Sequence, residues 1–108
     1  MTDKNSNPLQ ELTPEDVHTA MAQGGSHLVD VREPDEFYAM RIEGAVNMPL
    51  SNFDPAQLPV GRVILQCAAG KRSRLAAAKC QAVGIAPFGH LSGGIAAWVR
   101  EGLPVVRG

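Results

Sequence analysis

Short runs of β-branched and aliphatic residues alternate along this chain with stretches of helical character. Thr13-Pro14-Glu15-Asp16 predicts a helix start, with Thr13 as N-cap, Pro14 at the first helical position and acids in the first turn. Asp16 occupies the capping-box position, as a short version of the usual partner. Val17, Ala20 and Met21 carry the helix forward, and Gly24-Gly25 ends it. Residues 27–32, HLVDVR, predict a buried strand ending in charges, and Pro34-Asp35-Glu36-Phe37 opens a short helix with acids at its positive end. Residues 44–49 predict a second short strand closed by Pro49. Residues 50–60, with Pro55 and Pro59, predict a surface connection. RVILQ, residues 62–66, is the most strand-like run. An alanine-rich helix follows over 73–83, ended by Gly84, then a weak strand over 88–91 and a last helix over 94–100.

Strand runs alternating with helices predict an α/β fold with a mainly parallel central sheet of about five strands, flanked by helices on both faces. The length of 108 residues suits one domain, read as a flexible N-terminal lead-in over 1–8 and a single domain over 9–108. Ten Lys and Arg against eleven Asp and Glu give a net charge of −1, which argues against nucleic acid or an anionic membrane as a bulk partner. MTDKNSNPLQ has no apolar leader character, and no run reaches membrane-spanning length, so the expectation is a cytoplasmic protein. Cys67 and Cys80 share no ligand spacing with His18, His27 and His90, so no metal site is predicted, and free thiols are expected rather than a disulfide framework.

The chemistry concentrates in ILQCAAGKRSR, residues 64–74. In parallel sheets ligands gather beyond the carboxyl ends of the strands, and Cys67 stands at such an end. Ala68, Ala69 and Gly70 are small enough for a sharp turn whose amides converge into an anion-binding nest, with a helix N-terminus aimed at the same point. A thiol there should ionise more readily than a free one, and Lys71, Arg72 and Arg74 should push the same way and attract an anion. An inert core cysteine needs none of this. A Walker A loop is excluded, because Leu65 stands where its first glycine belongs and Arg72 where its hydroxyl residue belongs.

Beyond these local features, the chain resembles the rhodanese-like sulfurtransferases in their small single-domain form. The likeness rests on Cys67-Ala68-Ala69-Gly70-Lys71-Arg72-Ser73, on Asp30-Val31-Arg32-Glu33-Pro34 with Glu36-Phe37, on Gly44-Ala45 with Pro49, and on Gly93-Gly94-Ile95-Ala96-Ala97-Trp98 followed by Gly102-Leu103-Pro104-Val105. The resemblance implies a rhodanese-like fold and sulfur transfer without a cofactor. Cys67 would take a sulfane sulfur from a donor such as thiosulfate, hold it as a persulfide, and pass it to cyanide or a thiol. The backbone of Ala68, Ala69, Gly70, Lys71, Arg72 and Ser73 would cradle it, with Lys71 and Arg72 favouring small sulfur-containing anions. A sulfur-relay or regulatory module loaded by a partner protein is the alternative. A cysteine phosphatase or arsenate reductase is the third reading. Four residues separate Cys67 from Arg72, where the phosphatases have five, and the shorter ring suits one sulfur atom rather than a phosphate.

Other residues receive plainer readings. Asp30 and Arg32 either support the loop or form a strand-end charge pair anchoring Glu36 and its helix, and the structural role is favoured. Cys80 lies about 10 Å along the helix from the loop, too far to bridge to Cys67, and reads as core with Ala76, Ala77 and Val83. Trp98, with Ile95 and Val99, reads as core. His90 reads as a surface or edge residue and His18 shows no partner signal. Met40-Arg41 departs from the Gly-His that many family members carry there, with Arg41 expected to face solvent.

Overall fold

In a computed structural model that describes residues 9–108, a five-stranded parallel sheet is combined with four helices. The lead-in expected over 1–8 lies outside the described residues. In chain order the elements are β1 (Glu11–Leu12), α1 (Pro14–Gln23), β2 (Ser26–Asp30), α2 (Pro34–Ala39), β3 (Met40–Arg41), β4 (Val46–Asn47), β5 (Arg62–Gln66), α3 (Lys71–Ala82), β6 (Gly89–Leu91), α4 (Gly94–Arg100) and β7 (Val106–Arg107). The main sheet runs β1-β6-β5-β2-β4, with every pairing parallel. β3 and β7 form a separate antiparallel pair. The 50–60 connection contains two 3-10 turns, Leu50–Asn52 and Pro55–Gln57.

Alternation along the central strands divides the core in two. Leu28 and Ile64 join Val17 of α1 and Ile95 and Trp98 of α4 on one face, while Val29, Val63 and Leu65 join Ala76 and Ala77 of α3 on the other. The expected α/β fold with helices on both faces is therefore the observed one. Each fully buried aliphatic side chain here contributes about 1.5–3 kcal/mol, so neither layer is dispensable.

The start of α1 follows the sequence closely. Thr13 Oγ1 accepts from the Asp16 amide at 3.0 Å, and the Asp16 carboxylate accepts from the Thr13 amide at 3.0 Å. Thr13→Ala removes one half of this reciprocal box and should lower stability by about 1 kcal/mol, read as an earlier urea midpoint at unchanged slope.

β2 ends at Asp30, two residues before the predicted end, because the chain turns at once. Arg32 folds back so that its Nε and NH2 grip the Asp30 carboxylate, at 2.7 Å for the closest contact, and NH2 also donates to the Met40 carbonyl at 2.7 Å. Both charges are buried. The pair thus links the end of β2 to the start of β3. It does not anchor Glu36, whose partner lies elsewhere, and its side-chain bonds run to Met40 rather than into the 67–73 loop. Arg41 is half-buried rather than solvated, with its guanidinium 5.5 Å from the centre of the Phe37 ring.

Candidate active site

Parallel pairing with β2 and β6 brings β5 to an end at Gln66, so Cys67 emerges between two neighbouring strands. Three small residues later α3 begins, at Lys71 rather than at the predicted 73. Lys71 and Arg72 therefore lie in the first helical turn. Gly70 makes the connection, with φ of 107°, a conformation that L side chains rarely adopt, and its amide points back at Cys67 Sγ at 3.0 Å. Ser73 Oγ stands 3.6 Å from the same sulfur. Burial pushes the Cys67 thiol up, but the hydroxyl and amide of Ser73 and the amides of Gly70 and Ala69 outweigh it, and the pKa falls below its ordinary value. Directed hydrogen bonds lead this lowering, and the Arg72 guanidinium is electrostatically coupled to the same sulfur.

The cations are largely committed to other partners. Arg72 makes a bidentate bond to Glu36 of α2, at 2.7 and 2.9 Å, and Arg74 bonds Glu11 of β1 at 2.8 Å. Lys71 is exposed. Glu36 was visible in the sequence only as part of a motif, and its function here is to tie α2 to the start of α3. The Arg72 guanidinium, opposed by partial burial and helped by the Glu33 amide, lowers the Glu36 carboxyl from 4.5 to about 2. A depressed carboxylate pKa stabilises the fold above the unfolded value and loses that contribution as pH falls through the folded one. Stability assigned to this pair is thus present above about pH 4.5 and disappears toward pH 2. Both side chains are about one third exposed, which keeps the contribution small. Glu36→Gln should accordingly flatten the dependence of the melting temperature on pH across that window, measured by acid titration against the parent chain.

A clamp that the sequence reading missed holds the loop from α4. The Ile95 amide donates to the Cys67 carbonyl at 2.9 Å and the Ala96 amide to the Ala68 carbonyl at 3.0 Å. Such close approach requires Gly94, where a Cβ would lie 2.4 Å from backbone atoms of Ala68 and Cys67. The signal for it in the sequence is the adjacent pair Gly93-Gly94. Gln66 adds a further tie, donating through Nε2 to the Cys67 carbonyl at 3.0 Å.

His90 corrects the sequence expectation most sharply. It is buried, with Nδ1 2.7 Å from Ser73 Oγ and Nε2 3.0 Å from Glu11 Oε1. His18 also has a partner, packing edge-on against Trp98 at 5.7 Å. Cys80 and Trp98 are core residues as expected, whereas Val83 and Val99 are exposed. Burial raises the Cys80 thiol, which makes it a poor nucleophile. Among the described residues no group of His, Cys, Asp and Glu could hold a metal ion, and no helix is long and apolar enough to cross a membrane.

Comparison with known proteins agrees with this fold. A sulfurtransferase of Allochromatium vinosum is 38% identical over 82 residues, 73% of this chain and 77% of that protein. An uncharacterized protein of Synechocystis sp. is 36% identical over 99 residues, 89% of this chain but only 55% of that protein, so the chain spans about half its length. The crystal structure of a rhodanese-related protein from Thermoplasma volcanium matches with a TM-score of 0.79 at 28% identity, covering 90% of this chain and 97% of that one. The family profile described as Rhodanese-like domain matches residues 13–101, from the cap of α1 to the end of α4, and this chain belongs to that family.

Proposed function

We propose that the protein is a sulfurtransferase that carries sulfane sulfur on Cys67. The observation that supports this reading most is the Gly70 amide directed at Cys67 Sγ at 3.0 Å, inside a turn that also brings Ser73 to the sulfur. A thiolate held this way attacks the outer sulfur of thiosulfate. The new S–S bond forms as the donor's own S–S bond breaks, and sulfite leaves with the electron pair. The outer sulfur of the persulfide carries the negative charge, where the amides of the loop can stabilise it. Cyanide or a thiol then attacks that outer sulfur, taking it as thiocyanate or a new persulfide and returning Cys67 as the thiolate. No proton need move at the sulfur in either displacement once the thiolate exists.

Selection of an anionic donor rests on Lys71 and on the amides at the start of α3, since Arg72 is engaged by Glu36. This narrows the three-cation reading of the sequence to a more local field. The family resemblance and the sulfurtransferase of Allochromatium vinosum support the same reaction class.

Two displacements sharing one enzyme-bound intermediate predict ping-pong kinetics. Varying thiosulfate at several cyanide concentrations should give parallel double-reciprocal lines for thiocyanate formation. Intersecting lines would mean direct transfer between bound substrates and no carrier. Hydrolysis of a phosphate ester in place of thiocyanate formation would move the assignment to a phosphatase.

A further inference from the structure

Behind Ser73 the hydrogen bonds of the loop continue into two residues that the displacements above leave unused. Ser73 Oγ lies 3.6 Å from Cys67 Sγ and 2.7 Å from His90 Nδ1, and His90 Nε2 lies 3.0 Å from Glu11 Oε1. Arg74 takes the other Glu11 oxygen at 2.8 Å. One chain of contacts therefore runs from the sulfur through α3 and β6 to β1. Its imidazole is 1% exposed and its terminal carboxylate 45% exposed, so it joins a buried sulfur to a solvated charge.

Charge fixes the direction of the protons. Arg74 first, and His90 after it, hold the Glu11 carboxyl below its usual range, so at neutral pH it is ionised and can only accept. The Nε2 facing it therefore carries a proton. Nδ1 is then either a bare acceptor or, in the imidazolium, a second donor. Ser73 has a single hydroxyl proton and three neighbours for it, namely Cys67 Sγ, His90 Nδ1 and the Gly70 carbonyl at 3.1 Å. With Nδ1 bare, the proton points at the ring. With Nδ1 protonated, the ring donates to Ser73 Oγ and leaves the hydroxyl proton for the thiolate, whose charge makes it a stronger acceptor than the neutral Gly70 carbonyl.

We propose that Ser73, His90 and Glu11 form a proton relay through which the Cys67 thiol is deprotonated and its thiolate held. As the Cys67 S–H bond breaks, its proton passes to Ser73 Oγ and the former Ser73 proton passes to Nδ1, while the electron pair stays on sulfur. The product is a thiolate, a serine hydroxyl aimed at it, and an imidazolium between two anions. The charged groups facing the ring are Glu11 on its Nε2 side, with Arg74 behind, and Cys67 on its Nδ1 side behind Ser73. His90 and Glu11 act only through Ser73 and are positioning residues. The relay rests on Cys67 being the nucleophile proposed above, but its test requires no sulfur donor.

The test is the pH dependence of Cys67 alkylation by iodoacetamide, followed at the Cys67 peptide by mass spectrometry so that Cys80 does not contribute. His90→Gln and Ser73→Ala should each raise the apparent thiol pKa by about one unit, leaving about tenfold less thiolate at a fixed lower pH. In a Ser73→Ala background His90→Gln should add nothing further, because its path to the sulfur is already cut. Glu11→Gln keeps the acceptor but removes the charge, so it should shift the same pKa by less, and only while Ser73 is present. Glu11 is at the surface, and that variant carries the test if circular dichroism shows His90→Gln to be unfolded. Equal shifts with and without Ser73, or no shift in either His90→Gln or Glu11→Gln, would overturn the relay. Shifts as expected together with no sulfur uptake would sustain the relay and count against the sulfurtransferase reading alone.

Discussion

Cys67→Ser should abolish the proposed sulfur transfer, with turnover falling by about a thousandfold or more. The cradle explains the size of the effect. Its hydrogen bonds hold the Cys67 thiol below its ordinary pKa, whereas the same bonds leave an aliphatic hydroxyl protonated and a poor attacker of sulfur. A serine-to-sulfur bond would also offer no ready return of the sulfur to an acceptor. Cys80 cannot take over, because it is buried within α3 and its thiol is raised by that burial. The variant should nevertheless fold, since serine is close in size and the carbonyl of residue 67 keeps its bond from the Ile95 amide. Thiocyanate production and circular dichroism, measured on the same preparation, separate loss of chemistry from loss of fold. Turnover within tenfold of the parent would remove Cys67 from its assigned role.

Gly94→Ala should be the most damaging small substitution outside the loop itself. Its backbone has φ of +63°, and a Cβ would stand 2.4 Å from the carbonyl carbon and oxygen of Ala68 and from the Cys67 oxygen. Those atoms are backbone and cannot swing aside, so α4 must retreat and the bonds from the Ile95 and Ala96 amides must lengthen or break. A combined cost of about 3 kcal/mol or more is expected, which for a chain of this size lowers the melting temperature by about 10 °C or more. Gly102→Ala provides the control. Gly102 has φ of 78° and open space around its missing Cβ, so it carries the backbone strain without the clash. A melting temperature for Gly94→Ala equal to that of Gly102→Ala would mean that the close approach of α4 to the loop contributes nothing.

The sequence made the fold class and the position of the Cys67 loop at a strand end legible for different reasons. Capping residues and prolines set α1 and α2, and uninterrupted aliphatic runs set β2 and β5, because in a parallel sheet covered on both faces the central strands need no polar alternation. β1, β3 and β7 contain two residues each, too few for any periodicity to register. That omission had a functional consequence. Without β1, β6 looks like an edge and His90 like a surface residue; with β1 paired to it, β6 is enclosed and His90 is buried against Ser73.

The cations show a related limit. Lys71, Arg72 and Arg74 are adjacent to Cys67 in sequence, and their proximity suggested that they tune the thiol. Their partners come from remote positions, Glu36 for Arg72 and Glu11 for Arg74, which local composition cannot reveal. Amide direction is likewise legible only in outline, since a run of small residues permits a nest without stating which amide points at the sulfur. The structure assigns the close contact to Gly70.

Whether Cys67 carries a transferable sulfur is decided by intact-mass measurement after incubation with thiosulfate. A mass increase of one sulfur atom is expected, reversed by dithiothreitol and absent in Cys67→Ser. A parent chain that shows no such increase under conditions where its thiol is reduced and alkylatable, or a Cys67→Ser chain that shows the same increase, would contradict it.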